Sequence, residues 1–355
     1  MTPYVALVLF VTCAAYAGRV ANSTPVRRGS IAAVMLALIG FAGFRDYHVG
    51  TDTGNYVRMF AGSTSFSSVT EGANEIGYNL LAWSARSLSD AYVVLLLMIA
   101  VIVVCCYVLT ITRLTRRYET ALFLFVALGT YTFFFNGARQ GIAAAICFWA
   151  LPFVLERRVL PYLLAVGVAY LFHKTALIAL PLYFLAAPRI GTKRLVMIAA
   201  GTALLIVFLR IFVGFAAEIL DDKYAQYVEA GEGGGAVWAA FLFGQGVLLY
   251  GLKGTVREQK DIYARLLNIY MVGVAIAITS VVSSVNPSGL LRLHQYFSST
   301  AILMWPMVFL QFRSVPLRGL VAFGFLCVTM LLFLLTTSTF SGLTPYRLNP
   351  EISLW

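Results

Sequence analysis

The run VVLLLMIAVIVVCCYVLTI, residues 93–111, decides the fold class of this chain. It carries no charge, and an apolar run of about 18 residues or more is long enough to cross a bilayer as a helix. A transmembrane β-strand would instead alternate apolar and polar residues over about 10 positions. The sequence therefore predicts membrane-spanning helices.

The rest of the chain has the same character, since 60% of the 355 residues are hydrophobic and 12% are charged. Soluble domains are about 45–50% apolar and about a quarter charged, so a water-soluble globular protein is excluded. We predict an all-α polytopic membrane protein with about 12 transmembrane helices in a single integral-membrane domain, residues 1–355. The candidate spans are 3–18, 30–44, 91–112, 121–135, 141–155, 159–172, 175–187, 195–213, 236–252, 264–282, 297–312 and 319–338.

The net charge of +11 reflects how the charged residues are distributed among the loops. One alternate set of connections holds 17 basic and 4 acidic residues, and the other set holds 9 basic and 11 acidic residues. Because Lys and Arg collect on the cytoplasmic side of membrane proteins, we place the first set in the cytoplasm and both termini outside. Topology thus accounts for the basic charge, and we expect no nucleic-acid partner.

This orientation leaves two long external loops, at about 45–90 and at 213–235. In the first loop, EIGYNLLAWSARSLS predicts a helix lying in the membrane interface, with Ile76, Leu80, Trp83 and Leu88 near one face. External loops of this length over a helical bundle commonly build lids and substrate clefts.

The densest polar stretch is FRDYHVGTDTGNYVRMF, residues 44–60, directly after the second predicted span. Its glycines permit tight turns, and Thr51, Asp52 and Thr53 would present acceptors to sugar hydroxyls or take a proton from one. The alternative is an Asp/Thr cap on a following helix.

A second polar stretch is FFFNGARQGIAAA, in which Arg139 and Gln140 begin a helix of small residues that re-enters the membrane. A charged residue at that depth is costly and is a functional candidate. The guanidinium fork, at the positive end of a helix, suits a phosphate or pyrophosphate. Snorkelling or a carboxylate partner for Arg139 is the alternative.

A third stretch, YLFHKTALIALPL, joins a candidate acid–base, His173, to a phosphate-seeking cation, Lys174. The alternative is an ordinary pair of polar residues at a helix end.

In a fourth stretch, PSGLLRLHQYFSS, Arg292 and Tyr296 are one helical turn apart, whereas His294 points elsewhere if the segment is helical. We interpret Arg292 and Tyr296 as candidate ligand contacts.

Motifs for other chemistries are absent from the sequence. No nucleotide-binding loop, zinc-protease motif or serine-hydrolase elbow occurs. Asp46 and Asp52 lack a third ligand for magnesium. The five cysteines show no CxxC spacing. We expect no metal and no cofactor.

Three of these stretches carry a resemblance to a known family. They are RDYHVGTDTGNY at 45–56, NGARQGIAAA at 136–145 and FHKTALIALPL at 172–182, with looser likeness in RLHQYF at 292–297 and TPYR at 344–347. In this order, they resemble the EpsG-type branch of the Wzy-like exopolysaccharide and O-antigen polymerases.

The resemblance implies a glycosyltransferase of the bacterial inner membrane, with a GT-C-like architecture and an active site facing the periplasm. The donor would be a growing glycan on undecaprenyl pyrophosphate, and the acceptor a lipid-linked oligosaccharide repeat unit. A hydroxyl of the acceptor would attack the anomeric carbon, and undecaprenyl pyrophosphate would leave. The family also implies a chain-length regulator and a repeat-unit flippase as partners.

For this chemistry we predict that Arg139 and Arg292, supported by Arg45 and Lys174, bind the pyrophosphate, because fixed donors best stabilise charge on a leaving group. We predict Asp52 as the base, with His173 as the second candidate. The further predicted substrate contacts are Thr51, Thr53, Tyr56, Gln140 and Tyr296.

Two other functions share this lipid and these cations. A flippase or exporter of lipid-linked sugars would need polar residues along a path through the bilayer, and the predicted spans contain few. A ligase would use the same donor with a different acceptor, which the sequence does not distinguish.

Overall fold

The structure is a computed structural model. It describes residues 1–21, 23–70, 75–189, 191, 193, 196–204, 207, 234–282, 287–311, 314–339 and 341–350. Over these residues the regular structure is helical, and one isolated antiparallel bridge joins Arg45 to Leu348. The all-α prediction is confirmed.

The first half of the chain forms helices that we number in order. They are α1 Thr2–Val20, α2 Thr24–Gly43, α3 Thr53–Gly62, α4 Ile76–Leu88, α5 Val93–Leu114, α6 Tyr118–Ala127, α7 Thr130–Asn136, α8 Ala138–Trp149, α9 Leu151–Leu155 and α10 Val159–Phe172. Two 3₁₀ turns cover Phe66–Val69 and Lys174–Ala179. The later helices are Leu182–Leu185, Gly234–Gly251, Lys260–Val282, Pro287–Leu291, Gln295–Ser298, Ala301–Gln311 and Val315–Thr339.

Eight helical stretches of the described chain are long and apolar enough to cross a membrane, and each matches one of the twelve predicted runs. Val159–Phe172, Lys174–Leu185 and Ala301–Gln311 match three more runs but are shorter. The run predicted at 195–213 lies largely outside the described residues. A polytopic membrane protein is therefore confirmed, whereas twelve spans and a GT-C-like architecture are not.

The chain divides into two compact units, residues 1–180 with 312–355, and residues 181–311. In the first unit α1 packs on α2 and α6, α2 packs on α5, α5 packs on α8, and α8 packs on α10. Glycines permit this close packing: a methyl group at Gly141 would overlap Phe134, and one at Gly43 would overlap Leu97. The contact at Gly141 brings α7 close against the first turn of α8.

The helix predicted from EIGYNLLAWSARSLS is present as α4, which packs on α5 and α10. Its location in the membrane interface stays a prediction. Its buried residues are Tyr78, Leu81, Ala82 and Ala85. Ile76, Leu80 and Leu88 are 45%, 43% and 73% exposed. A helix lying in the membrane interface presents such an apolar side.

Residues 341–349, which we call the C-terminal strap, run back across the loop that follows α2. The amide of Gly50 donates to the carbonyl of Gly342 at 2.9 Å, and the amide of Asp46 donates to the carbonyl of Arg347 at 2.9 Å. The TPYR sequence thus lies against the first polar stretch, and both belong to one folded region.

The second unit is built on the helix Lys260–Val282, against which Gly234–Gly251, Gln295–Ser298 and Ala301–Gln311 pack. The Tyr270 hydroxyl lies 2.8 Å from Oε1 of Gln245, which joins two apolar helices by a hydrogen bond. The external loop predicted at 213–235 lies outside the described residues as far as 233, and its last two residues belong to a helix.

Candidate active site

The loop between α2 and α3 has one left-handed residue, Gly50, with a φ of +99°. A Cβ there would lie 2.7 Å from Oδ1 of Asn136 and 3.0 Å from the carbonyl oxygen of Phe135. The backbone of this loop therefore passes directly over the end of α7, as only glycine permits. The other glycine of the stretch, Gly54, lies inside α3 and makes no turn.

Asn136 ties this loop to the end of α7 and to the strap. Its Oδ1 accepts the amide of Thr51 at 2.8 Å, and its Nδ2 donates to the carbonyl of Ser341 at 2.9 Å. The Thr53 hydroxyl, which is fully buried, donates to Val49 and lies 3.1 Å from the carbonyl oxygen of Phe135. Thr53 therefore holds the loop in place, whereas Thr51 is exposed. Their predicted contacts with substrate stay predictions.

Tyr56 is 6% exposed, and its hydroxyl accepts the first amide of α8, that of Ala138, at 3.0 Å. The first backbone amides of a helix have no acceptor within the helix, and here a side chain of α3 accepts the hydrogen bond of one of them. We expected Tyr56 to contact substrate. The structure shows that Tyr56 bonds the start of α8, and its contact with substrate stays a prediction.

A carboxylate that the sequence analysis did not single out, Glu75, joins two predicted site residues. Its Oε2 lies 2.6 Å from Nη1 of Arg139, and its Oε1 bonds Nδ1 of His173. The Glu75 side chain is 7% exposed, whereas those of Arg139 and His173 are 36% and 25% exposed. We call these three residues the Glu75 cluster. It leaves a cation and an imidazole partly open to a ligand.

The aromatic ring of Tyr78 lies against this cluster. The guanidinium carbon of Arg139 is 5.9 Å from the centre of the Tyr78 ring, and the ring of Tyr56 is 5.8 Å from it. Tyr78 is fully buried, and its burial raises the pKa of its hydroxyl. An uncharged aromatic ring thus lies within cation–π distance of Arg139.

The sequence left Arg139 either as a phosphate ligand or as a residue that snorkels or pairs with a carboxylate. The structure shows that it pairs with a carboxylate, that of Glu75. The same carboxylate also holds His173, the candidate base of a separate motif, 98 positions from Glu75 in sequence. No local spacing signals such a contact. The only sequence sign of Glu75 is an acid just before an amphipathic helix, where capping residues are common.

Arg45 is fully buried. Its guanidinium lies 4.2 Å from the centre of the Phe135 ring and donates to the carbonyl of Ala42 near the end of α2. Burial lowers the pKa of Arg45 to about 10, so the group stays charged at neutral pH. Its Nε and Nη2 are buried without a hydrogen-bond partner among the described residues. The predicted role of Arg45 as a pyrophosphate ligand stays a prediction.

Asp52 lies at the N-cap position of α3, which begins at Thr53, and its carboxylate is 3.5 Å from the Thr51 hydroxyl. Its side chain makes no capping bond, so the helix start is confirmed but the cap is not. Gln140 is buried in the first turn of α8, and Lys174 is exposed at the start of a 3₁₀ turn. The substrate roles of these three residues stay predictions.

A second carboxylate–histidine pair lies in the same unit. Asp46, which is buried, accepts the backbone amide of His48 at 2.8 Å and bonds its Nδ1 at 2.6 Å. The His48 ring stacks on Tyr47 and is 57% exposed. This pair forms within one turn, whereas the Glu75 cluster joins distant parts of the chain.

Arg292 and Tyr296 belong to the second unit, where Tyr296 is 4% exposed. His294 is structural. It accepts the indole N–H of Trp238 at Nε2, 2.7 Å away, so its Nδ1 carries the proton and donates to Ser298. Burial lowers the pKa of His294 to about 3. The predicted ligand contacts of Arg292 and Tyr296 stay predictions.

Comparison with known proteins gives one match. The EpsG family matches residues 30–348, which span the loop after α2, the start of α8, His173 and most of the strap. No curated protein and no solved structure matches the chain. The match covers most of the chain and includes all three motifs that carried the resemblance, so the chain belongs to the EpsG family.

Proposed function

We propose that this chain is a polymerase that transfers a growing glycan from undecaprenyl pyrophosphate onto a lipid-linked repeat unit, at the periplasmic face of the bacterial inner membrane. Membership of the EpsG family indicates a glycosyltransferase-like polysaccharide polymerase, and the apolar helices indicate a multi-pass membrane protein. The donor, the acceptor and the membrane face are parts of the proposal.

The observation that carries the proposal is the Glu75 cluster. Transfer from a pyrophosphate lipid needs fixed positive charge for the leaving group and a base for the attacking hydroxyl. Arg139, held by one nitrogen to Glu75, keeps over a third of its side chain exposed, and His173 lies on the same carboxylate. One carboxylate, that of Glu75, thus holds a cation and a candidate base next to each other.

In the proposed step, a sugar hydroxyl of the acceptor attacks the anomeric carbon of the donor. The bond from that carbon to the pyrophosphate oxygen breaks, and the leaving group keeps the electron pair. Arg139 stabilises this charge, with Lys174 as a further proposed ligand, and Asp52 or His173 takes the hydroxyl proton. No metal takes part. A chain-length regulator and a repeat-unit flippase are proposed partners.

The experiment is a polymerisation assay with purified protein and a synthetic undecaprenyl-pyrophosphate-linked repeat unit, without nucleotide or metal. We expect a ladder of products. Arg139→Ala should abolish it, whereas Arg113→Ala, which removes another Arg–Glu pair, that with Glu156 at 2.8 Å, should retain it.

Two results would contradict the proposal. Movement of the lipid between leaflets of reconstituted vesicles, without a ladder, would indicate a transporter. A single transfer to a different acceptor would indicate a ligase.

A further inference from the structure

We propose that Glu75 is a positioning residue that fixes the tautomer of His173 and so makes its Nε2 the atom that takes the acceptor's proton. The inference rests on the proposed function and assigns the base, which the sequence left between Asp52 and His173. It also gives a role to a residue outside all of the sequence motifs.

The tautomer follows from the donors and acceptors present. An ionised carboxylate only accepts, so the bond between Oε1 of Glu75 and Nδ1 of His173 requires the proton on Nδ1. The neutral ring then has its lone pair on Nε2, as a general base needs. The His173 side chain is 25% exposed, which leaves the ring within reach of a ligand.

The second oxygen of Glu75 fixes the orientation of the carboxylate. Oε2 lies 2.6 Å from Nη1 of Arg139, a group that only donates. The carboxylate therefore has one oxygen for each partner. A buried carboxylate is costly unless it is paired, and here the charge of Arg139 compensates it. The imidazolium formed during the reaction would lie directly against Glu75.

The backbone supports this arrangement on both sides. A Cβ at Gly77 would lie 3.0 Å from the carbonyl carbon and oxygen of Leu171, so the first turn of α4 touches the last turn of α10. Glu75 lies two residues before this contact, and His173 lies two residues after it. The distance between carboxylate and imidazole is thus set by helix packing, which makes the pair rigid.

Glu75→Gln tests the inference because it should move the ring proton of His173 from Nδ1 to Nε2. The amide oxygen of Gln must face Arg139, since two donors cannot face each other, and its NH₂ group then faces His173. Nδ1 of His173 becomes an acceptor, and the proton moves to Nε2, which can no longer act as a base. In a serine protease triad the equivalent Asp→Asn change acts in this way.

We expect Glu75→Gln to lower kcat by about 10²- to 10⁴-fold, the usual contribution of a general base. KM for the lipid-linked donor should change far less, because Arg139 keeps an oxygen partner. The matched control is Glu119→Gln. Glu119 is also 7% exposed and is shared by two arginines, Arg19 at 2.8 Å and Arg117 at 3.6 Å. The Glu119→Gln variant should retain the wild-type kcat.

A spectroscopic readout is independent of activity. The chain has three histidines, and the contacts of each put the proton on Nδ1. His173 bonds Glu75 through Nδ1, and His48 bonds Asp46 through Nδ1. His294 accepts the Trp238 indole N–H at Nε2, which leaves the proton on its Nδ1. The ¹⁵N spectrum of ring-labelled wild-type protein at pH 8 should therefore show only Nδ1–H tautomers. In Glu75→Gln one histidine should become an Nε2–H tautomer, and this signal should be missing from the double variant with His173→Gln.

The outcomes separate the inference from the function. Polymerisation by Glu75→Gln at the wild-type kcat, or an Nε2–H tautomer of His173 in the wild type, would overturn the positioning role and leave the polymerase intact. The wild-type spectrum decides the matter even if Glu75→Gln does not fold. Absence of polymerisation by wild type would contradict the proposed function, whatever the tautomer.

Discussion

Replacement of Gly50 by Ala tests whether the first polar stretch is a rigid platform. Gly50 has a φ of +99°, a region that costs other residues about 1–3 kcal/mol. A Cβ would also lie 2.7 Å from Oδ1 of Asn136, 2.9 Å from Oγ1 of Thr53 and 3.0 Å from the Phe135 carbonyl oxygen. Overpacking of this kind costs about 1–3 kcal/mol. We expect Gly50→Ala to reduce the free energy of unfolding by roughly 2–6 kcal/mol.

Gly54→Ala is the matched control, four residues further along the same motif. Gly54 lies in α3, where the nearest atom to a Cβ would be Cδ2 of Tyr47, at 3.9 Å. Alanine is favoured over glycine within helices by roughly 0.5–1 kcal/mol. Gly54→Ala should therefore be neutral or slightly stabilising.

The assay is the midpoint of thermal unfolding in detergent, followed by tryptophan fluorescence, together with the product ladder at a temperature where both variants are folded. We expect a lowered midpoint and a weak ladder for Gly50→Ala only. A wild-type midpoint for Gly50→Ala, or equal damage by both variants, would refute the assignment of a strained turn pressed against the end of α7.

Three further predictions concern other parts of the chain. Arg139→Lys should lower kcat by roughly 10- to 100-fold, because one ammonium cannot serve both Glu75 and a phosphate as the guanidinium fork can; unchanged polymerisation kinetics would contradict this. The pKa of His294 is about 3 in the folded chain and about 6.5 when unfolded, so stability is lost as pH falls below 6.5, by about 2 kcal/mol at pH 5. His294→Asn should remove this component from the difference in unfolding midpoint between pH 7 and pH 5, and an unchanged difference would exclude it. A reporter fused after Trp355 should be active outside the cytoplasm, and activity only in the cytoplasm would overturn the orientation.

Local sequence patterns predicted much of the fold. Charge-free runs such as 93–111 form helices because a helix satisfies all of its backbone groups within one segment, and these runs lack the alternation of a barrel strand. The amphipathic pattern of 76–88 and the polar start of α3 also placed helices correctly. The short runs were less decisive, since 159–172 forms a helix of only 14 residues.

The candidate site was predictable in part. Arg139 and His173 stood out because polar residues at the ends of apolar runs are rare. Glu75 did not stand out, since its partners lie on α8 and at the end of α10 and only helix packing reveals them. The burial of Arg45 was not predictable because it depends on Phe135 and on the strap, neither of which is close in sequence.

The most direct test of the central claim is to map where the donor binds. A donor carrying a photoreactive diazirine on its first sugar would be cross-linked to active wild-type protein, and the labelled peptides would be identified by mass spectrometry. We expect label on the segments that contain Arg139 and His173, with competition by unmodified donor. Label confined to other segments, in protein that forms a product ladder, would contradict the assignment of the Glu75 cluster as the active site.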